Sequence, residues 1–548
     1  MNLIARNRLF WVAAPAILTA MALPPASSAE PSRTRQPDRA VLARIAEPEA
    51  NITEPEVRVE AGTLRGEAGT GAVRFSGIPY ATAPVGNRRW TAARPARPWL
   101  GVRDATSPGP ICPQAGRDEQ NQPIVLGEED CLYLDVVSPT RPTRPGRLPV
   151  IVWLHGGNFN SGAGSQFDGA RIATGGDVVV VTVNYRLGAL GFLSSASLDA
   201  EGTISGSYGL LDQAEALRWV RRNITAFGGD PTRVTLAGQS AGARAICAHL
   251  SSPTSRGLFQ RAILQSGACA NPVMTRTDAD RKGVEAIRQA GCDDATDIAG
   301  CLRSVPVGDL VHVLADPNRP VTGQRRDDPW GPIAGTPFLP RQPIDAIRHG
   351  AAARVPLLIG STHDEMRGFV LTLHRDLTAE GYAEVIRSAF GNRAEDVLRE
   401  YLADDFASPA LALATVLTDW GGGIGACPVL DTVRTASRYA PVYAYEFLDG
   451  APPFGAYHGW DLPFLWDTSI PRSQYPDYAE MTPEQRRLSQ AMIDYWTTFA
   501  HRGDPNTAGR TPWARAHRGT TAVLGLAAET IASTPFATDH RCRFWDGS

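Results

Sequence analysis

An α/β fold, with a large and mostly parallel central sheet flanked by helices, is what this sequence predicts, and three observations predict it. Apolar strand-like runs recur at residues 150–154, 178–183, 234–237, 262–265, 355–359 and 442–447, with helical stretches such as 211–227 and 243–250 between several of them. That alternation favours parallel pairing, because a parallel neighbour needs a crossover connection. The run Asp177-Val-Val-Val-Val-Thr-Val183 is apolar almost throughout, as suits a strand covered on both faces. The third observation is a strand that ends at Gly238-Gln239-Ser240-Ala241-Gly242, with a helix expected from about Ala241. Such a turn accepts only very small residues at positions 238 and 242, and it pushes the Ser240 hydroxyl out at the carboxyl end of the sheet.

From the N-terminus onward, the first segment reads as an address. Arg6 and Arg8 precede an apolar run over residues 9–23, then Pro24, Pro25 and the small-residue site Ser27-Ser28-Ala29. This three-part layout predicts a secretory signal peptide at residues 1–29, cut after Ala29. The run is too short to span a bilayer, and no later segment is long and apolar enough to do so. The match to a cleavage site disfavours the competing reading, an uncleaved anchor. Residues 30–55, rich in Pro, Arg, Ala and Glu, are expected to be loosely ordered. Residues 56–548 are expected to form one α/β domain, since large α/β enzymes run this long as a single unit. With 43% hydrophobic and 20% charged residues, the composition is that of an ordinary soluble protein. A net charge of -3 gives no footprint for nucleic acid or an anionic membrane. Lys282 is the only lysine; such arginine bias points to a GC-rich gene and a bacterial source.

Eight cysteines, an even number, fit an exported chain. Cys112 with Cys131 and Cys292 with Cys301 are short-loop pairs. Cys427 with Cys542 would tie the last segment back over a long loop, worth roughly 4–5 kcal/mol by loop entropy. Cys247 and Cys269 remain open, as a fourth pair or as two buried thiols. With no Cys-x-x-Cys and no His-x-x-x-His, a metal site has no support. The glycines at 421–423 lack a preceding strand and a Lys-Ser/Thr, so they are no phosphate loop.

A serine needs a base within hydrogen-bond reach before it can attack an ester. His458 lies in Pro452-Pro453-Phe454-Gly455-Ala456-Tyr457-His458-Gly459-Trp460-Asp461, a loose loop beyond the strand at 442–447. The stretch Pro356-Leu-Leu-Ile-Gly360-Ser-Thr-His-Asp364-Glu365 reads as a strand that breaks at Gly360 and delivers two carboxylates, between which the residues alone do not choose. The strand at 150–154 runs into His155-Gly156-Gly157-Asn158-Phe159. Consecutive glycines there let backbone N–H groups approach an oxyanion, with the N–H of Ala241 as the other half.

With these residues the chain resembles the type-B carboxylesterases, the family of cholinesterases and bacterial p-nitrobenzyl esterases, which have the α/β-hydrolase fold. The match covers nearly the whole mature chain. It includes Phe75-Ser-Gly-Ile-Pro-Tyr-Ala81, Glu129-Asp-Cys-Leu-Tyr-Leu-Asp135, Val183-Asn-Tyr-Arg-Leu-Gly-Ala-Leu-Gly-Phe192, Phe227-Gly-Gly-Asp-Pro231, Gln265-Ser-Gly267, Tyr495-Trp-Thr-Thr-Phe-Ala500 and Cys542-Arg-Phe-Trp545. The resemblance implies Ser240 as nucleophile, His458 as base, Glu365 rather than Asp364 as acid, and Gly157, Asn158 and Ala241 as oxyanion donors. It supports the first three disulfides and is silent on Cys247 and Cys269. It implies a small-molecule ester as substrate and no cofactor.

Three positions depart from the family pattern. Gln239 stands where Glu is usual, Asp461 where Glu is usual, and Asn158 where Gly or Ala is usual. In relatives the first two, with the serine matching Ser266, form a buried polar network beside the base. Gln239 removes a negative charge there, which weakens the hold of His458 on its proton. The Asn158 side chain is expected to narrow the acyl side of the pocket. A lipase or a feruloyl-type esterase would use the same triad, as would an amidase or thioester hydrolase. A silent adhesion protein is disfavoured because all three triad positions are filled. Two glycosylation sequons, Asn51-Ile-Thr53 and Asn223-Ile-Thr225, read as accidental in a bacterial protein, with a packing role for Asn223.

Overall fold

Eleven strands form the central sheet of the computed structural model, which describes residues 54–118, 120–201, 204–314, 329–422, 424–468, 480–517 and 521–546. The predicted signal peptide at 1–29, almost all of the segment at 30–55, and Asn51 lie outside the described residues. In chain order the strands are β1 (Glu67–Ala68), β2 (Ala72–Pro79), β3 (Tyr133–Pro139), β4 (Leu148–Leu154), β5 (Val179–Val183), β6 (Gly229–Gln239), β7 (Arg261–Gln265), β8 (Leu357–Thr362), β9 (Val442–Phe447), β10 (Val523–Leu526) and β11 (Ile531–Ser533). They lie in the order β11-β10-β9-β8-β7-β6-β4-β5-β3-β2-β1. From β10 across to β5 every pairing is parallel. The rims, β10–β11 and β5–β3–β2–β1, are antiparallel.

The sheet is covered on both faces, and this is why its inner strands read as continuous apolar runs. Every residue of β4, β5 and β9 is buried. Along β4, Val150, Val152 and Leu154 enter one apolar core while Ile151 and Trp153 enter the other. Helices α1 (Ala170–Gly176), α2 (Tyr208–Asn223), α3 (Ala241–Ser251), α4 (Arg367–Leu373), α5 (Pro409–Trp420) and α6 (Pro483–Arg502) supply much of the cover. Ala243 and Ile246 of α3 and Leu217 and Trp219 of α2 pack into the first core. Leu488, Met492, Trp496 and Phe499 of α6 pack into the second. The start of α6 is fixed by a capping box between Thr482 and Gln485, with Pro483 in its first turn.

Two strand readings need correction. The strand at 234–237 runs on to Gln239, so the turn after it holds a single residue. The strand at 355–359 does not break at Gly360 but starts at Leu357 and continues to Thr362. Gly360 pairs with Tyr445 of β9, and a Cβ at Gly360 would lie 2.3 Å from both the Tyr445 ring and its carbonyl oxygen. Glycine is needed there for close approach of two strands, not to end one.

All eight cysteines are paired. Cys112–Cys131, Cys292–Cys301 and Cys427–Cys542 form as expected, and the open pair closes as Cys247–Cys269, joining α3 to the segment after β7. Among the described residues no helix is long and apolar enough to cross a membrane. Asn223 is buried; its Oδ1 accepts from the Glu60 N–H at 2.8 Å and its Nδ2 donates to the Trp219 carbonyl at 3.0 Å. Gly421 caps α5 in the left-handed conformation.

Candidate active site

The turn between β6 and α3 holds Ser240 alone, at φ 57° and ψ −120°. A non-glycine residue there carries strain on the order of 1–3 kcal/mol, held by its surroundings. The Ser240 N–H donates to the Gln265 carbonyl at 2.9 Å, and its carbonyl accepts from the Arg244 N–H at 3.0 Å. The flanking glycines are forced by the end of β4. A Cβ at Gly238 would lie 2.7 Å from the Leu154 carbonyl oxygen, and one at Gly242 only 2.0 Å from it.

Glu365 and His458 meet above the neighbouring strands. Three residues past β8, Glu365 is fully buried. Its Oε1 accepts from the Thr362 N–H at 2.9 Å, and its Oε2 lies 2.5 Å from His458 Nδ1. Asp364 is engaged elsewhere: it pairs with Arg367, and its Oδ2 accepts from the Ala456 N–H at 2.9 Å. Its own N–H donates to the Ala456 carbonyl at 2.9 Å. Asp364 thus clamps the loop that carries His458, while Glu365 bonds to the imidazole itself. With the Nδ1 proton directed at Glu365, Nε2 is left as an acceptor. The group on it is the Gln239 amide, with Nε2 to Nε2 at 3.1 Å. The Ser240 hydroxyl makes no hydrogen bond to His458 among the described residues, a contact that in ligand-free enzymes often tightens only with substrate. Gly156 makes room for Gln239, since a Cβ there would meet the Gln239 Oε1 at 2.7 Å.

After β4 the chain passes through positive φ at Gly157 (99°), Asn158 (51°) and Phe159 (61°) in succession. The Gly157 carbonyl accepts from the N–H groups of Asn160 and Ser161 at 3.0 Å, and a Cβ at Gly157 would sit 2.1 Å from the Ser161 carbonyl oxygen. The Asn158 Oδ1 accepts from Arg244 Nη1 at 3.3 Å, and that guanidinium lies 5.2 Å from the centre of the Phe159 ring. Ala241 opens α3, so its N–H is among the unpaired donors of a helix start. His155 underlies this loop. It stacks on Tyr185 at 4.4 Å, and burial pushes its imidazole down to about 4. It is neutral and structural.

Asp461 and Ser266 come close to this site, but not as one hydrogen-bonded unit with Gln239. The Asp461 Oδ2 accepts from Gln265 Nε2 at 2.7 Å and from the Tyr445 hydroxyl at 3.4 Å. Gln265 in turn accepts from Trp496 Nε1 at 3.2 Å. The Ser266 hydroxyl is buried without a protein partner. The Gln239 amide turns to His458, and Ser266 sits in a tight turn at φ 52°; neither bonds to Asp461. Burial, opposed by the Gln265 hydrogen bond and aided by the Glu365 charge, pushes Asp461 up to about 6.

The carboxylesterase family signature matches residues 53–545. The para-nitrobenzyl esterase of Bacillus subtilis (strain 168) is 37% identical over 478 residues, which is 85% of this chain and 93% of the relative. The chain belongs to the carboxylesterase family. It is a carboxylic ester hydrolase. The fumonisin B1 esterase of Sphingopyxis macrogoltabida is 35% identical, over 81% of each chain. The solved structure of a PNB esterase superposes with a TM-score of 0.74 at 34% identity, covering 89% of this chain and all of that one. Within this carboxylesterase, the residues that sequence reasoning missed are Gln265, Tyr445 and Trp496, the partners of Asp461. Gln265 stood in a motif already singled out, but a motif does not say which way a side chain points. Trp496 stood in another such motif and Tyr445 in the strand at 442–447, and the partners of their polar tips become visible only when β9 and α6 are packed.

Proposed function

We propose that this carboxylesterase is a secreted serine esterase hydrolysing carboxylic aryl and alkyl esters of small molecules through Ser240, His458 and Glu365. Ser240 attacks the ester carbonyl while His458 Nε2 takes its proton and Glu365 stabilises the imidazolium. The N–H groups of Gly157, Asn158 and Ala241 hold the oxyanion, each such donor being worth about 3–4 kcal/mol in the transition state. The alcohol leaves, and water activated by His458 releases the acid from the acyl-enzyme. No cofactor enters the scheme. The Gln239 amide must give up His458 Nε2 to the Ser240 hydroxyl when substrate binds. The observation that carries the reading is the 2.5 Å contact of buried Glu365 with His458 Nδ1, on a base one residue's reach from the Ser240 turn. Export is supported by the four disulfides and by the leader pattern at residues 1–29.

The test is hydrolysis of p-nitrophenyl acetate, butyrate, octanoate and palmitate by the chain lacking residues 1–29, beside Ser240→Ala. Turnover of the short esters that disappears in the variant is expected. A well-folded sample inert on all four esters would refute the reading for these substrates.

A further inference from the structure

Next to the turn that carries Glu365 lies a buried ionic cluster that the proposed hydrolytic steps do not use. His363, the first residue after β8, places Nδ1 2.6 Å from Glu446 Oε1 on β9. The same oxygen lies 2.8 Å from His540 Nε2, and Glu446 Oε2 accepts from the Thr534 hydroxyl at 2.9 Å. On its other side His540 places Nδ1 2.7 Å from Asp419 Oδ1 in α5. Asp419 Oδ2 accepts from the Tyr401 hydroxyl at 2.8 Å, and that hydroxyl accepts from Trp545 Nε1 at 2.9 Å. Glu446, Asp419 and His540 are almost wholly buried, whereas the His363 side chain is 39% exposed.

Two histidines and a carboxylate could in principle hold a cation. Here the would-be ligand atoms stand 2.6 and 2.8 Å apart, which is hydrogen-bond spacing; donors on a tetrahedral zinc, with bonds of about 2.0–2.1 Å, stand roughly 3.3 Å apart. Protons, not a metal, fit these gaps. Hydrogen bonds and charge from Asp419 and Glu446 raise His540 to about 10 despite burial, and the two imidazoles lower Glu446 to about 2. His540 is therefore an imidazolium held between two carboxylates. Facing His363 are Glu446, His540, Asp364 and Arg367, with Asp419 and Asp539 on the same small cavity of about 60 Å³.

The acid turn is pinned at consecutive residues. Thr362 N–H reaches Glu365, His363 reaches Glu446, Asp364 holds the His458 loop, and the Met366 N–H donates to the Thr418 hydroxyl of α5 at 3.0 Å. The helix end that holds Met366 is the one that carries Asp419. We propose that His363, Glu446, His540 and Asp419 are positioning residues for the hydrolysis. They form a chain of hydrogen bonds from α5 and the C-terminal segment through β9 to the residue two before Glu365, and it fixes where the Glu365 carboxylate stands against His458. The proposal rests on the reading of Glu365 as the acid. Its physical basis is that a displacement of about 1 Å in such a group costs up to about a hundredfold in rate.

The experiment uses the full oxidised protein and the variants His363→Ala, His363→Asn, Glu446→Gln and Glu365→Gln. It reads kcat, KM and the pH dependence of kcat/KM on p-nitrophenyl butyrate, with near-UV circular dichroism and active-site titration to count folded enzyme. His363→Ala and Glu446→Gln should lower kcat per titrated site roughly ten- to a hundredfold, with KM within about twofold. They should move the acidic limb of the profile to lower pH, because a displaced carboxylate holds the imidazolium less well. His363→Asn, whose amide nitrogen can stand in for Nδ1, should recover most of the loss. Unchanged kcat and profile in folded His363→Ala and Glu446→Gln would overturn the proposal, as would losses that vanish once folded sites are counted. If Glu365→Gln keeps the parental rate, the acid assignment falls and takes the relay with it. If Glu365→Gln is inactive while His363→Ala is unaffected, only the relay falls.

Discussion

Gln239 holds the position on which the chemistry of the proposed base, His458, turns. Its amide engages His458 Nε2 at 3.1 Å, where a carboxylate would instead hold a second proton on the ring. Replacing Gln239 by Glu adds a negative charge beside the imidazole and should move the acidic limb of kcat/KM to higher pH, with the enzyme still active. An unchanged pH–rate profile would show that this charge does not reach the base. The choice between Asp364 and Glu365 marks the limit of what residue identity can say. Both carboxylates sit just past the same strand, and only the resemblance favoured Glu365. The structure separates them by their partners, since Asp364 bonds to the backbone of the His458 loop and Glu365 to the ring itself. That distinction depends on where a loop 93 positions away comes to rest, which no local pattern encodes.

At the scale of elements, the turn from β6 to α3 is the most constrained. Gly242→Ala would drive a methyl group to 2.0 Å from the Leu154 carbonyl oxygen. Backbone, not a flexible side chain, stands in the way, so we expect a loss of more than about 2 kcal/mol in urea unfolding together with loss of activity. Wild-type stability and rate in this variant would mean that β4 ends elsewhere. The inner parallel strands were legible because burial on both faces removes polar residues from them. Gly360 misled for a related reason: glycine in a strand is written the same way whether it ends the strand or admits a neighbour's ring. Among the rim strands, β1 has two residues and β11 three, too few to show any period.

The whole molecule is closed by its last segment. Cys427–Cys542 fastens that segment to the helix Ala426–Ala436 after α5, and His540 lies two residues before the bond. Replacing both cysteines by serine should cost roughly 4–5 kcal/mol at most, read as a lower midpoint in denaturant. His540, raised from 6.5 to about 10, contributes stability that is complete below about pH 6.5 and is lost as pH rises through about 10. Glu446, lowered from 4.5 to about 2, contributes stability that is complete above about pH 4.5 and is lost as pH falls through about 2. The parent's Tm should therefore fall more steeply between pH 7 and 10 than that of His540→Gln. Parallel curves would remove His540 from the account.

Ser240 follows β6, Glu365 follows β8 and His458 follows β9, with β7 pairing between the first two. Gln239, beside the proposed nucleophile, and His458, the proposed base, are 219 positions apart in the chain, so a fragment that stops short of the loop after β9 lacks the proposed base. In a refolding experiment, helical signal and burial of tryptophan can return while the middle of the sheet is still incomplete. With Ser240, Glu365 and His458 as the proposed triad, ester hydrolysis returns only when four adjacent strands have found one register. Catalysis thus serves as a clock for the final step of assembly.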